Sequence, residues 1–240
     1  MSGHSKWANI KHKKGRVDAK KGKVFSRIAK EIITAVKAHG PDSKSNAKLR
    51  LVLQKAKAVN IPNDNIERNI KKASSADQQD FVEITYEIYG HGGVGIIVEA
   101  MTDNKNRTAS DMRIATNKKG GTIANPGAVA FNFDRKGVIQ IAKNQAVEDE
   151  LFMAATNSGA EDFDTDDDVY IVTTEPTDLY AVKESLEDQG FPCIECSLEM
   201  VPKTLIDCDT NTVASNEALI EWLEQLDDVD AVFHNMNITE

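Results

Sequence analysis

The chain has 240 residues, 40% hydrophobic and 28% charged, with 14 Gly, 6 Pro and 3 Cys. That length buries real cores in one or two domains, or three small ones, and the composition excludes collagenous and low-complexity classes. Three Cys exclude a disulfide framework, and no window approaches the ~18 uninterrupted apolar residues of a membrane helix. The basic N-terminus lacks the apolar stretch of a secretory signal, and its Lys-over-Arg bias argues against a transit peptide. The expectation is a cytoplasmic protein with no membrane partner.

The net charge of −9 hides a segregation. Residues 1–75 carry 19 Lys and Arg against 5 Asp and Glu, whereas residues 76–240 carry 10 against 33. A segment at +14 ahead of a body at −23 is the footprint of a polyanion-binding module, since like charges repel unless a partner neutralises them. Residues 2–16 show no periodicity and interleave cations with Trp7 and Ile10, the pattern of an arm that orders on its partner. Two readings stand for Trp7: it stacks on a base, or it packs back onto the first helix.

Helical periodicity begins near Asp18 and runs to Ala38, with Val24, Phe25, Ile28, Ala29, Ile32, Ile33 and Val36 on one side. Lys20, Lys23, Arg27, Lys30 and Lys37 occupy a separate arc, and Lys21 lies in the first turn among the apolar positions. That arc continues the charge of the arm and is expected to face phosphate. Gly40-Pro41 ends the helix. A second helix is predicted over Ser43–Val59 and a third from Asp64, which with Glu67 resembles a capping box. The candidate nucleic-acid contacts are therefore Lys6, Trp7, Lys11, His12, Lys13, Lys14, Arg16, Lys20, Lys21, Lys23, Arg27 and Lys30.

Residues 81–89 and 94–101 read as strands joined at Gly90-His91-Gly92-Gly93. The literal G-x-G-x-x-G opens a strand, not a helix, so a hairpin turn explains it better than a nucleotide loop. The second strand runs into Thr102-Asp103-Asn104-Lys105-Asn106-Arg107-Thr108 and a helix over Ala109–Lys118, with Thr108 and Asp111 as its predicted cap. Asp103, Asn104, Lys105, Asn106, Arg107 and Thr108 make either an anion site at a helix start or a self-satisfying turn.

From residue 137 the order is strand, helix (Glu148–Ser158), acidic loop, strand, helix (Thr177–Gln189), strand, then after Asp207 a helix (Asn216–Leu226) and a last strand. This suits an α+β class, with a middle unit inserted in the first α/β unit. The Cys193-x-x-Cys196 pair sits in a strand pattern, where residues three apart are expected to point to opposite faces. With Cys208 and His234 it matches no standard zinc spacing. The acidic run 161–168 lacks the turn Gly and final Glu of a calcium loop and reads as solvated. No metal, cofactor or catalytic set is expected. A metal-dependent enzyme built on the Cys/His or Asp cluster is the distant alternative.

GHSKWANIKHKK at the start, NIPNDNIERNIKKA at 60–73, YEIYGHGGVGIIVEAMTDNKNRT at 86–108 and KKGG at 118–121 resemble the YebC family over the whole chain. TIANPGAVAFNF at 122–133 departs from the Asn-Leu-Gly and Ser-Val found there in the family. The resemblance implies an α+β multidomain fold: a basic helical domain (1–75), a discontinuous α/β domain (80–134 with 205–240) and an inserted ferredoxin-like domain (135–204). It implies a DNA-binding transcriptional regulator. The alternative it implies is a ribosome-associated translation factor that binds ribosomal RNA, relieves stalling on proline-rich stretches, and meets the ribosome or a protein partner through its acidic domains.

Overall fold

The computed structural model describes residues 17–73, 80–166 and 168–237, with the side chains of 17–21 left out. The elements in chain order are α1 (Val17–His39), α2 (Ala47–Ala58), α3 (Asn63–Ala73), β1 (Val82–Tyr89), β2 (Gly95–Thr102), α4 (Lys105–Lys119), β3 (Thr122–Ile123), β4 (Phe133–Ala142), α5 (Glu148–Ser158), β5 (Asp162–Thr165), β6 (Val169–Thr174), α6 (Leu179–Asp188), β7 (Cys193–Pro202), β8 (Ile206–Asp207), α7 (Thr210–Gln225), β9 (Val229–His234) and β10 (Met236–Asn237). The fold is α+β and multidomain, a helical segment followed by two four-stranded antiparallel sheets and a short parallel pair, β8 with β10. Of the described residues, 133–203 form one compact unit and the rest a larger one.

In the larger unit, Ile28, Ile32, Ile33 and Val36 of α1 bury their predicted face against Leu49, Val52 and Ala56 of α2 and Ile66 and Ala73 of α3. Gly40 (φ +84°) stops α1, and its N–H reaches the Val36 carbonyl at 2.7 Å. Asn46, rather than Ser43, starts α2. Its Oδ1 accepts from the Leu49 N–H, and its Nδ2 donates to the Ala35 and Gly40 carbonyls at 2.8 Å each. One buried amide thus caps α2 and ties it to α1, satisfying orphan groups of both helices.

β1 and β2 form the predicted hairpin, in register from Val82↔Thr102 to Tyr89↔Gly95. A single 3₁₀ turn, His91–Gly93, joins them, with Gly92 and Gly93 at φ +67° and +83°. Positive φ is the reason for these glycines. The sheet order is β3-β1-β2-β9, so the last long strand of the chain completes a sheet begun before residue 102. α4 and α7 cover one face over a core of Ile88, Ile96, Val98, Met112, Leu219 and Leu223.

The smaller unit runs β-α-β-β-α-β with sheet order β5-β6-β4-β7, all antiparallel, the split-βαβ arrangement. α5 and α6 pack on Ile139, Ile141, Tyr170 and Val172. The acidic run expected to be a loop contains β5: Asp162–Thr165 pairs with Thr173–Tyr170 of β6. Charged residues on an edge strand are ordinary, because they discourage pairing with another chain.

Candidate nucleic-acid interface

The cationic arc of α1 turns inward. Lys23 donates through Nζ to the Glu224 carbonyl and, at 2.9 Å each, to those of Leu226 and Val229. These carbonyls end α7 and begin β9, where the helix dipole favours a cation. Burial holds the Lys23 pKa below its ordinary value, against the pull of Asp230 and Glu224. Arg27 meets Glu31 and Glu99 at 3.1 Å each and Asp230 at 4.0 Å. Burial opposes its charge, but Glu99, Asp230 and Glu31 outweigh that and raise its pKa. Lys30 donates to the Met101 carbonyl at 2.8 Å and lies over the Phe81 ring. Lys37 meets Asp80 at 2.7 Å.

The expectation that Lys23, Arg27 and Lys30 present themselves to phosphate therefore gives way to a docking role. Apart from Glu31, four residues on from Arg27, the partners of this arc stand far along the chain, as the carboxylates of Glu99 and Asp230 and the carbonyls of Met101, Leu226 and Val229, invisible to local pattern. Lys6, Trp7, Lys11, His12, Lys13, Lys14 and Arg16 lie outside the described residues, as do the side chains of Lys20 and Lys21. In the described helices Lys48, Arg50, Lys57, Arg68 and Lys71 are exposed, as is Lys44 in the turn before α2. Glu31 is buried between Arg27 and Lys55, so it does not offset that surface.

The 102–108 segment is a self-satisfying turn in this structure. Asn104, not Thr108, caps α4, with Oδ1 accepting from the N–H groups of Asn106 and Arg107 at 3.1 Å each. Thr108 is inside the helix. Its hydroxyl donates to Asp228 at 2.8 Å, and the Thr102 hydroxyl donates to the same carboxylate at 3.0 Å. Arg107 reaches Asp228 through Nη2 at 2.8 Å and Asp103 at 2.7 Å. Burial would raise the Asp228 pKa, but bonds from Thr108, Arg107 and Thr102 win and lower it. Sequence reasoning missed Asp228, which lies 120 residues from Thr108. Lys105 and Asn106 stay exposed.

The glycine turn is clasped by the buried Asn216, whose Oδ1 accepts from the His91 N–H and whose Nδ2 donates to the His91 carbonyl. Cys193 and Cys196 both pack on the core of the smaller unit, contrary to the opposite-face expectation. The register slips between Gln140 and Ile141, where Ile139 faces Cys196 and Ile141 faces Cys193. This β-bulge leaves Ile194 out at 53% exposure and returns both thiols to one side. Burial pushes Cys193 up to about 11 and Cys196 up to about 12. Among the described residues no cluster of His, Cys, Asp and Glu is arranged to hold a metal, and no helix is long and apolar enough to cross a membrane.

Residues 5–76 match the family model described as the TACO1/YebC protein N-terminal domain, and residues 81–236 match that of the TACO1/YebC second and third domain. The chain belongs to the TACO1/YebC family. A TACO1/YebC relative in Protochlamydia amoebophila, named a probable transcriptional regulatory protein, is 66% identical over 240 residues, covering 100% of this chain and 98% of that one. One of the same name in Chlamydia trachomatis serovar L2 is 61% identical over 237 residues, covering 98% and 100%. A crystal structure of a conserved hypothetical protein from Aquifex aeolicus superposes with a TM-score of 0.81 at 41% identity, covering 98% of each chain. The YebC resemblance read from the motifs is thus correct, and the relatives' names support a regulatory role at the level of the family. The 122–133 segment of this TACO1/YebC chain is anchored by Glu87, whose carboxylate accepts the N–H groups of Gly127, Val129 and Ala130.

Proposed function

We propose that the protein is a non-enzymatic, nucleic-acid-binding regulator of transcription. In this reading it grips duplex phosphates through Lys6, Lys11, Lys13, Lys14 and Arg16, with Trp7 and His12 beside them and Lys20 and Lys21 at the start of α1. The observation that carries it is charge segregation: +14 over 75 residues, with the segment's buried acid, Glu31, already neutralised from within. The relatives' names are consistent with it. Lys23, Arg27 and Lys30 leave the list of phosphate contacts because the α/β sheet already holds their donors.

The test is duplex affinity against salt for the full chain and a K11Q/K13Q/K14Q variant. Three lost phosphate contacts should lower the slope of log K on log[salt] by about 3 and weaken binding evenly across sequences. An unchanged slope rejects the arm. Ribosomal RNA engages the same cations by the same counterion release. Co-sedimentation with ribosomes in excess duplex DNA therefore separates the readings: retention replaces transcription with translation, and release keeps it.

A further inference from the structure

A groove of ≈ 330 Å³ lies between α4 and the β1–β3 edge of the sheet, on the face that α4 covers, and is lined by Tyr86, Arg113, Asn117, Gly121 and Thr122 among others. Three features set it apart. First, β1 carries β3 at Ile88 and Tyr89 and is uncovered by any strand from Val82 to Tyr86 among the described residues, so this wall is an open edge. Second, no acid lines it, although residues 76–240 hold 33 Asp and Glu against 10 Lys and Arg. Third, Arg113 is exposed there; its carbonyl accepts from the Thr116 hydroxyl, its positive charge acts on the Tyr86 hydroxyl, and no carboxylate pairs with its guanidinium among the described residues. Of the other cations of the neighbourhood Lys105 is exposed, whereas Arg107 is held by Asp228 and Lys118 and Lys119 lie over the Trp222 ring.

The KKGG motif builds the far wall. Gly120, at φ +82°, ends α4 against the His91 ring, and a Cβ on Gly121 would strike Leu219 and Ile88. The turn therefore sits tight against His91 and the sheet core at this end of the groove. Along α4, Lys105, Ala109, Arg113 and Asn117 recur every four residues and share one face. Lys105 and Arg113 are eight residues apart, about 12 Å along the helix.

We propose that this groove binds a short stretch of single-stranded nucleic acid, with Arg113 and Lys105 on phosphates two nucleotides apart and one unstacked base in the groove against Tyr86. A guanidinium without a carboxylate is fitted to bidentate phosphate contact. The Tyr86 ring offers a stacking surface, and the Asn117 amide can donate to and accept from a base edge. One helix and one strand edge leave room for a splayed base, not a stacked pair. This rests on the nucleic-acid reading above but assigns a different surface and a different form of strand.

The test uses the full chain with a fluorescent single-stranded oligouridylate and, separately, a fluorescent duplex. R113Q should weaken single-strand binding by about tenfold or more and lower its salt slope by about 0.7, the value for one phosphate of a single strand. Duplex affinity should stay within about twofold. Arg113 is exposed, so the variant keeps its fold, which a thermal melt confirms. As a second readout, oligonucleotide bearing 4-thiouridine should crosslink to β1 or α4. An unchanged single-strand affinity, an equal loss on both probes, or crosslinks confined to residues 1–75 overturns the groove. So does competition by polyglutamate that R113Q abolishes, which would make the groove an acidic-peptide site. Failure of the wild-type chain to bind either probe overturns the nucleic-acid reading itself.

Discussion

Asp228 and Asp230 stand two residues apart and titrate in opposite directions. Hydrogen bonds from Thr108, Arg107 and Thr102 lower the Asp228 pKa despite burial, whereas burial raises Asp230 to about 6, with Glu31 and Glu99 adding to it and Arg27 and Lys30 opposing. The signs follow from linkage. Asp228 contributes stability that is present above the unfolded pKa of ~3.9 and lost as pH falls through its folded value. Asp230 binds its proton more tightly folded than unfolded, so it withdraws stability as pH rises from ~4 to ~6. Replacing Asp230 by Asn should remove that withdrawal. Urea unfolding at pH 4.5 and pH 7 should show D230N gaining on the wild type toward pH 7, by about 3 kcal/mol at most. A constant difference at the two pH values would reject the assignment.

At the scale of elements, the helices of residues 17–73 and the β1–β2 hairpin were legible, because their signals are local: periodic apolar faces, Gly40, and glycines needing positive φ. The misreadings share a cause, which is that the deciding partner is distant or the rule has a local exception. Thr108 resembled an N-cap until Asp228 claimed its hydroxyl and Asn104 took the role. β5 was hidden because Asp is poor in strands, yet it gains a ladder with β6. The bulge opposite Ile141 reversed the face of one cysteine, and nothing in C-x-x-C announces a bulge. That bulge has a chemical consequence. With burial pushing the two thiols up to about 11 and about 12, iodoacetamide at pH 8 should alkylate Cys193 and Cys196 at least about a hundredfold more slowly than in the urea-unfolded chain. Equal rates would place the thiols in solvent.

Across the larger unit, the helical core around Ile32 and Leu49 and the sheet core around Ile96 and Met112 are separate apolar clusters. Polar contacts from Lys23, Arg27 and Lys30 join them. Changing Lys23 and Arg27 to Met should remove the Arg27 pairs with Glu99 and Asp230 and the Lys23 bonds to the Leu226 and Val229 carbonyls, and cost the docking about 3–5 kcal/mol. Hydrogen exchange should then show protection falling over residues 17–73 first, with β2 and β9 unaffected. Simultaneous loss in both would make them one cooperative body. The pairing of β9 with β2 bears on how the chain is made. Residues 133–203 contain every strand of their own sheet, so that unit can fold while the rest is still being synthesised. The larger unit cannot close its sheet until Val229–His234 emerges. Until then β2 offers an open edge of the fully buried kind, so translation pausing between residue 102 and β9 should favour aggregation, whereas a pause before residue 95 exposes no such edge.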